Sequence, residues 1–131
     1  MLWMRETARF EWTQPEENTM ANELAQKHCL PCRGDVPPLE GDQLRRLSDQ
    51  LPDWKVVDSH HIAKSYVFPD FMQGLDFVNQ VGQLAEREGH HPDVCLSWGR
   101  VDVSIHTHKI DGLTESDFVL GAKIDAVRFS T

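Results

Sequence analysis

Apolar residues recur at two different periods along the chain. Between residues 40 and 51 three leucines lie three and four positions apart and Pro52 follows, which predicts a short helix. Residues 54 to 68 form two strand-like runs on either side of Asp58-Ser59, which predicts a β-hairpin with its turn at that pair. The second strand of this hairpin is predicted to carry on one face Ile62, Lys64, Tyr66 and Phe68.

The longest predicted helix follows Pro69. Asp70 is suited to cap its N-terminus, because Gln73 stands three residues later as in a capping box. Gly89 suits a left-handed helix end, and Pro92 prevents the helix from continuing. The apolar residues that recur at helical spacing, and are predicted to face the core, are Phe71, Leu75, Val78, Val81, Leu84 and Ala85.

A second hairpin and a last helix complete the pattern. Residues 93 to 108 contain an alternating run that predicts a hairpin with its turn at Gly99-Arg100. Thr114 is suited to cap a final helix, whose predicted buried face contains Phe118, Ala122 and Phe129. The order helix, hairpin, helix, hairpin, helix indicates an α+β fold, in which a four-stranded antiparallel sheet carries about three helices on one face.

The first part of the chain lacks a sustained period. Residues 1–38 are therefore predicted to form a partly mobile N-terminal extension, and residues 39–131 a single domain. Cys29 and Cys32 could be half of a zinc site, a redox pair or neither. A closed zinc site needs about four ligands and no second cysteine pair exists, so a structural or incidental role is preferred.

Charge and hydropathy exclude several classes of protein. The net charge of −8, with no stripe of Lys and Arg, argues against direct binding to nucleic acid. No apolar run approaches the length that spans a bilayer. The charged first residues do not resemble a signal peptide, so the cytoplasm is the expected location.

Histidine is dense in the second half of the chain. Four of the seven histidines fall between positions 90 and 108. The predicted helix end places His90 and His91 on a constrained turn, and the end of the second hairpin could bring His108 beside them. Imidazole is the side chain best suited to transfer protons near pH 7, so these histidines are the candidate acid–base groups.

The segment EREGHHPDVCLSWGRVDVSIHTHKIDGLTESDF resembles the pterin-4a-carbinolamine dehydratases. The resemblance covers roughly residues 39 to 129 and includes the intervals between motif positions. The chain departs from many relatives at Gly89, where they carry an acidic or amide side chain. The motif positions in this sequence are Glu86, His90, His91, Pro92, Trp98, His108 and Asp117.

This resemblance implies a small-molecule substrate, a tetrahydropterin with a hydroxyl at C4a, and its dehydration without metal or cofactor. It implies that His90 and His108 are the main acid–base groups and that His91 orients the pterin or shares in proton transfer. Glu86 would bind a pterin nitrogen or hold a histidine tautomer, and Trp98 could stack on the ring. A homodimer or homotetramer is expected from the family.

Other interpretations of the same residues remain open. His90 and His91 could be solvent-facing residues at a helix end, and Asp117 could contact a ligand or simply complete a capping box with Thr114. His60 and His61 are predicted to be exposed, and His106 is predicted to be a surface residue, with a position at the rim of the site as the alternative.

Two other functions also remain open. The histidines between positions 90 and 108, with Glu86, could bind zinc or iron. Alternatively, the chain could be a non-catalytic dimerisation module that acts as a transcription cofactor.

Overall fold

The computed structural model describes residues 23–29 and 36–130, and its elements follow the predicted order. A 3₁₀ turn, His108–Ile110, precedes the last helix. From residue 41 onward, the helices and strands are α1 (Gly41–Gln50), β1 (Lys55–Val57), β2 (His61–Val67), α2 (Phe71–Glu88), β3 (Asp93–Ser97), β4 (Arg100–Ile105) and α3 (Glu115–Ser130).

The four strands form one antiparallel sheet in the order β1-β2-β4-β3. The two hairpins meet where β2 pairs with β4, with Ile62 opposite Ile105. The α+β class and the sheet built from two hairpins are thus confirmed. The predicted turn of the second hairpin is wrong by one residue. Ser97 pairs with Arg100, so the turn is Trp98-Gly99, and Gly99 adopts the left-handed φ of 77° that favours glycine there.

The predicted core face of α2 is confirmed at Val81, Leu84 and Ala85 but is wrong at the N-terminal end of the helix. Phe71 is 41% exposed, whereas Phe77 is fully buried with its ring 4.7 Å from that of Tyr66 and 5.2 Å from that of Phe68. Apolar residues occupy two neighbouring stripes of this helix, and the sheet surface decides which of them is covered. Gly74 lies on the covered stripe, where its missing side chain admits Leu96 and Val101.

A partly buried carboxylate joins the sheet to α3. Asp125 accepts hydrogen bonds from Trp54 Nε1 at 3.1 Å, from Lys64 Nζ at 2.8 Å and from the Tyr66 hydroxyl at 2.5 Å. Lys64 therefore faces the core side of β2, as predicted, with its charge paired. Burial and then the charge of Asp125 raise the pKa of Tyr66.

Residues 23–29 pack against the rest of the domain. Leu24 is 2% exposed, Lys123 Nζ donates to the Ala25 carbonyl at 2.7 Å, and the Cys29 N–H donates to Glu88 at 3.0 Å. Burial and then Glu88 raise the pKa of the Cys29 thiol to about 12. The boundary at residue 38 stays a prediction, and Cys32 lies outside the described residues. Among the described residues, no helix has the length and apolarity required to cross a membrane.

Candidate active site

The end of α2 gives the two adjacent histidines different exposures to solvent. Gly89 takes a left-handed φ of 67°, as predicted, and the His90 N–H donates to the Ala85 carbonyl at 3.2 Å. This reversal buries His90, which is only 5% exposed, while His91 stays largely exposed. The helix end thus presents one sheltered imidazole and one accessible imidazole.

A fully buried carboxylate, Asp117 in the first turn of α3, holds His90. Asp117 Oδ1 lies 2.6 Å from His90 Nε2. Its other oxygen accepts from the Thr107 hydroxyl at 2.9 Å and from the Thr114 N–H at 2.8 Å. The contact with Thr114 is the capping interaction that the sequence indicated, and the same side chain also orients a histidine.

The loop after β4 carries His108. Thr107 and Gly112 form an isolated bridge, with the Thr107 N–H 2.8 Å from the Gly112 carbonyl, and this closes the loop around the 3₁₀ turn. Because Thr107 also donates to Asp117, one carboxylate ties the loop of His108 to His90. The His108 ring stacks on that of His106, with centroids 4.2 Å apart and planes 10° apart.

His91 has a carboxylate partner of its own. Its Nε2 lies 2.5 Å from Glu86 Oε2, in the last turns of α2. Both side chains are exposed, at 60% for His91 and 78% for Glu86, so water competes for this contact. The role of Glu86, to hold a histidine tautomer or to bind a pterin nitrogen, stays a prediction.

The predicted histidines meet at one pocket of about 180 Å³. The lining residues are Gly89, His90, His91, His106, His108 and Lys109. The structure therefore brings together His90, His91 and His108, whereas Asp117 lies behind His90 with both oxygens occupied.

Trp98 is not among the residues that line this pocket. It is 72% exposed in the β3–β4 turn, at the opposite end of β3 from Asp93. Trp98 lies five positions along the chain from Asp93, which is about 16 Å at ~3.3 Å per residue. Its stacking role stays a prediction.

His106 lines this pocket, the rim position that the sequence left open for it, and it contacts His60, which in turn contacts the exposed Asp111. His60 and His61 are half-buried, and the His60 and His106 rings are 4.5 Å apart. Burial, then His108 and His60, lower the pKa of His106. The hydrogen bond from His60, at 2.7 Å, lowers the pKa of Asp111. No local pattern signals this cluster, because only the pairing of β2 with β4 brings its parts together.

The fold and the pocket define a class of α+β proteins that gather imidazoles between a helix end and a sheet end. The model of the family Pterin 4 alpha carbinolamine dehydratase matches residues 37–127, and the chain belongs to this family.

Individual relatives agree with this assignment. A Rubrobacter xylanophilus protein with the provisional name pterin-4-alpha-carbinolamine dehydratase is 60% identical over 104 residues, 79% of this chain and 97% of that protein. A similarly named protein of Alkaliphilus metalliredigens is 51% identical over 105 residues, 79% of this chain and 95% of that protein.

A solved structure is also similar. The crystal structure of a protein described as a transcriptional coactivator/pterin dehydratase from Brucella melitensis matches with a TM-score of 0.65 and 32% identity. The match covers 69% of this chain and 97% of that one.

Proposed function

We propose that the chain dehydrates a 4a-hydroxytetrahydropterin to the quinonoid dihydropterin and water. The observation that carries this proposal is the single pocket lined by His90, His91 and His108. The reaction requires two proton transfers, since the departing hydroxyl must be protonated and N5 must lose its proton. Several imidazoles around one ring system match that requirement without metal or redox chemistry.

The contacts of Asp117 favour a definite role for His90. An ionised carboxylate can only accept, so His90 Nε2 carries the proton in the 2.6 Å contact. The Nδ1 atom is then the nitrogen that remains for the substrate, with its lone pair available to take a proton. His90 is thereby prepared to act as the base at N5, and in its protonated form it can return that proton.

His108 and His91 supply the other half of the reaction in this proposal. His108 projects from a separate loop, so a flat pterin ring can be approached from two sides, by His108 and by His90. His91, held by Glu86, lies at the exposed side of the pocket and is suited to orient the ring or to exchange protons with water. Each turnover leaves the base protonated and the acid deprotonated, and this exchange restores both.

The test is the rate of dehydration of synthetic 4a-hydroxytetrahydropterin above its spontaneous rate. His90→Ala and His108→Ala should each lower kcat by about 10²-fold or more, because a positioned acid or base contributes about 10²–10⁴-fold. His28→Ala is the matched control, since that histidine is 86% exposed and lies outside the pocket lining. Near-normal rates in both pocket variants, or no rate above the spontaneous one in the unaltered protein, would overturn the proposal.

A non-catalytic cofactor role is the second candidate, and the description of the Brucella melitensis protein favours its consideration. The assay separates the two, because a purely structural module would leave the spontaneous dehydration rate unchanged. The expected homodimer or homotetramer is tested by light scattering on the full chain. A strict monomer would count against that expectation without affecting the proposed chemistry.

A further inference from the structure

A second group of potential ligands lies at the edge of the histidine pocket. His60 comes from the β1–β2 turn, His106 follows β4, and Asp111 follows the 3₁₀ turn. One ligand atom of each lies within 4.8 Å of the ligand atoms of the other two. His60 Nε2 already contacts Asp111 Oδ1 at 2.7 Å.

We propose that His60, His106 and Asp111 bind a divalent ion of the zinc class, with water as the remaining ligand. Two imidazoles and one carboxylate are a donor set typical of open, three-residue sites for zinc and neighbouring transition metals. Ligand atoms about 2.0–2.1 Å from a tetrahedral ion lie roughly 3.4 Å from one another. Side-chain rotations that move the ligand atoms by about 1.5 Å or less would therefore bring the three groups into such a geometry.

The proposed ligands His60 and Asp111 lie at tight turns of the backbone. Within the described residues, the non-glycine residues with positive φ are Asp58 at 53°, Ser59 at 54° and Asp111 at 53°. The first two immediately precede His60, and the third is itself a proposed ligand. The Asp111 side chain is 86% exposed and that of His60 34%, so an ion can reach the site from solvent.

The proposed site differs from the catalytic histidines and from the metal centre that the sequence left open. His90 is bonded to Asp117 and His91 to Glu86. Among the described residues, neither His90 nor His91 belongs to a set of three ligand residues whose ligand atoms all lie within 4.8 Å of one another.

A rival triad consists of Asp93, His106 and His108. The triad with His60 is preferred because two of its members, His60 and Asp111, already contact each other, whereas His108 lines the histidine pocket. The two triads differ in their carboxylate and in one histidine, so they can be separated by substitution.

The experiment measures binding of Zn²⁺ by calorimetry and of Co²⁺ by absorbance to the metal-free full chain. His60→Ala and Asp111→Asn should each weaken binding by at least about 10–100-fold, because even the loss of a group that only orients a ligand has an effect of that size. Asp93→Asn, a carboxylate next to the same His106, is the matched control and should keep the affinity within about threefold. His60→Gln replaces His60→Ala if thermal denaturation shows that the alanine variant is unfolded.

Co²⁺ also distinguishes the cysteine pair from this site. A complex with nitrogen and oxygen ligands has only weak visible bands, whereas thiolate ligands add an intense near-ultraviolet band. The proposal is overturned if the unaltered protein shows no saturable binding, if the complex carries only the thiolate band and survives His60→Ala, or if Asp93→Asn weakens binding as much as Asp111→Asn. These readouts use no pterin, so they do not depend on the proposed dehydratase activity.

Discussion

Replacement of Asp117 by asparagine should impair catalysis far more than stability. Asp117 Oδ2 serves the Thr107 hydroxyl and the Thr114 N–H, so the amide oxygen of asparagine is expected to take that place. The amide NH₂ would then point at His90 Nε2, which lies 2.6 Å from the present Oδ1. To accept from this donor, His90 must move its proton to Nδ1, where the proposed mechanism needs a lone pair.

Two magnitudes follow from these contacts. Exchanging charge-assisted hydrogen bonds for neutral ones costs about 1–2 kcal/mol of unfolding free energy, so the variant should still fold. A base held in the wrong tautomer should lower kcat by about 10²–10⁴-fold with little change in KM. The effect of Asp117→Asn should therefore appear mainly in turnover.

The assay combines dehydration kinetics with nitrogen–proton NMR correlations that identify the His90 tautomer. Asp125→Asn is the matched control, because that carboxylate lies on the same helix and also accepts from three donors, Trp54, Lys64 and Tyr66. It should lower stability similarly but change kcat by less than about threefold. A proton that remains on His90 Nε2 in Asp117→Asn, or a kcat within about threefold of normal, would refute the reasoning.

Three further predictions concern the body of the domain. Burial alone would raise the pKa of Glu88, but the hydrogen bonds from Cys29 and the charge of Lys123 lower it overall. The contribution of Glu88 to stability is therefore present above pH 4.5 and is lost as pH falls below that value. In urea unfolding, Glu88→Gln should flatten the dependence of the unfolding free energy on pH between about pH 5 and pH 3, the range over which such a group titrates. An unchanged slope in that range would contradict the prediction. The thiol of Cys29, with its pKa raised to about 12, should be alkylated more slowly at pH 8 than exposed Cys95, as judged by peptide mass spectrometry; equal rates would argue against burial. Phe77→Ala should cost about 3–5 kcal/mol in urea unfolding, and a loss below about 1 kcal/mol would show that the core had repacked.

Much of the fold could be predicted because its signals are local. The αL end of α2 at Gly89 and the Asp70 cap, whose oxygen accepts from the Gln73 N–H at 2.9 Å, depend on a few neighbouring residues. The alternation of Val101 with Asp102 likewise needs only one strand, and both residues lie on the predicted sides. One error arose where a second surface had to choose, since the sheet covers Phe77 and leaves Phe71 exposed; the other was a one-residue shift in the turn after β3.

The site divides in the same way. The order of the elements and the candidate histidines His90, His91 and His108 were determined by the sequence alone, through periodicity and motif spacing. Only the tertiary structure decided that Asp117 serves a helix cap and a histidine at once, and that His60 reaches the edge of the pocket. The physical reason is that hydrogen bonds and ring contacts between distant segments depend on how β2 pairs with β4 and where α3 packs, and no local spacing encodes those distances.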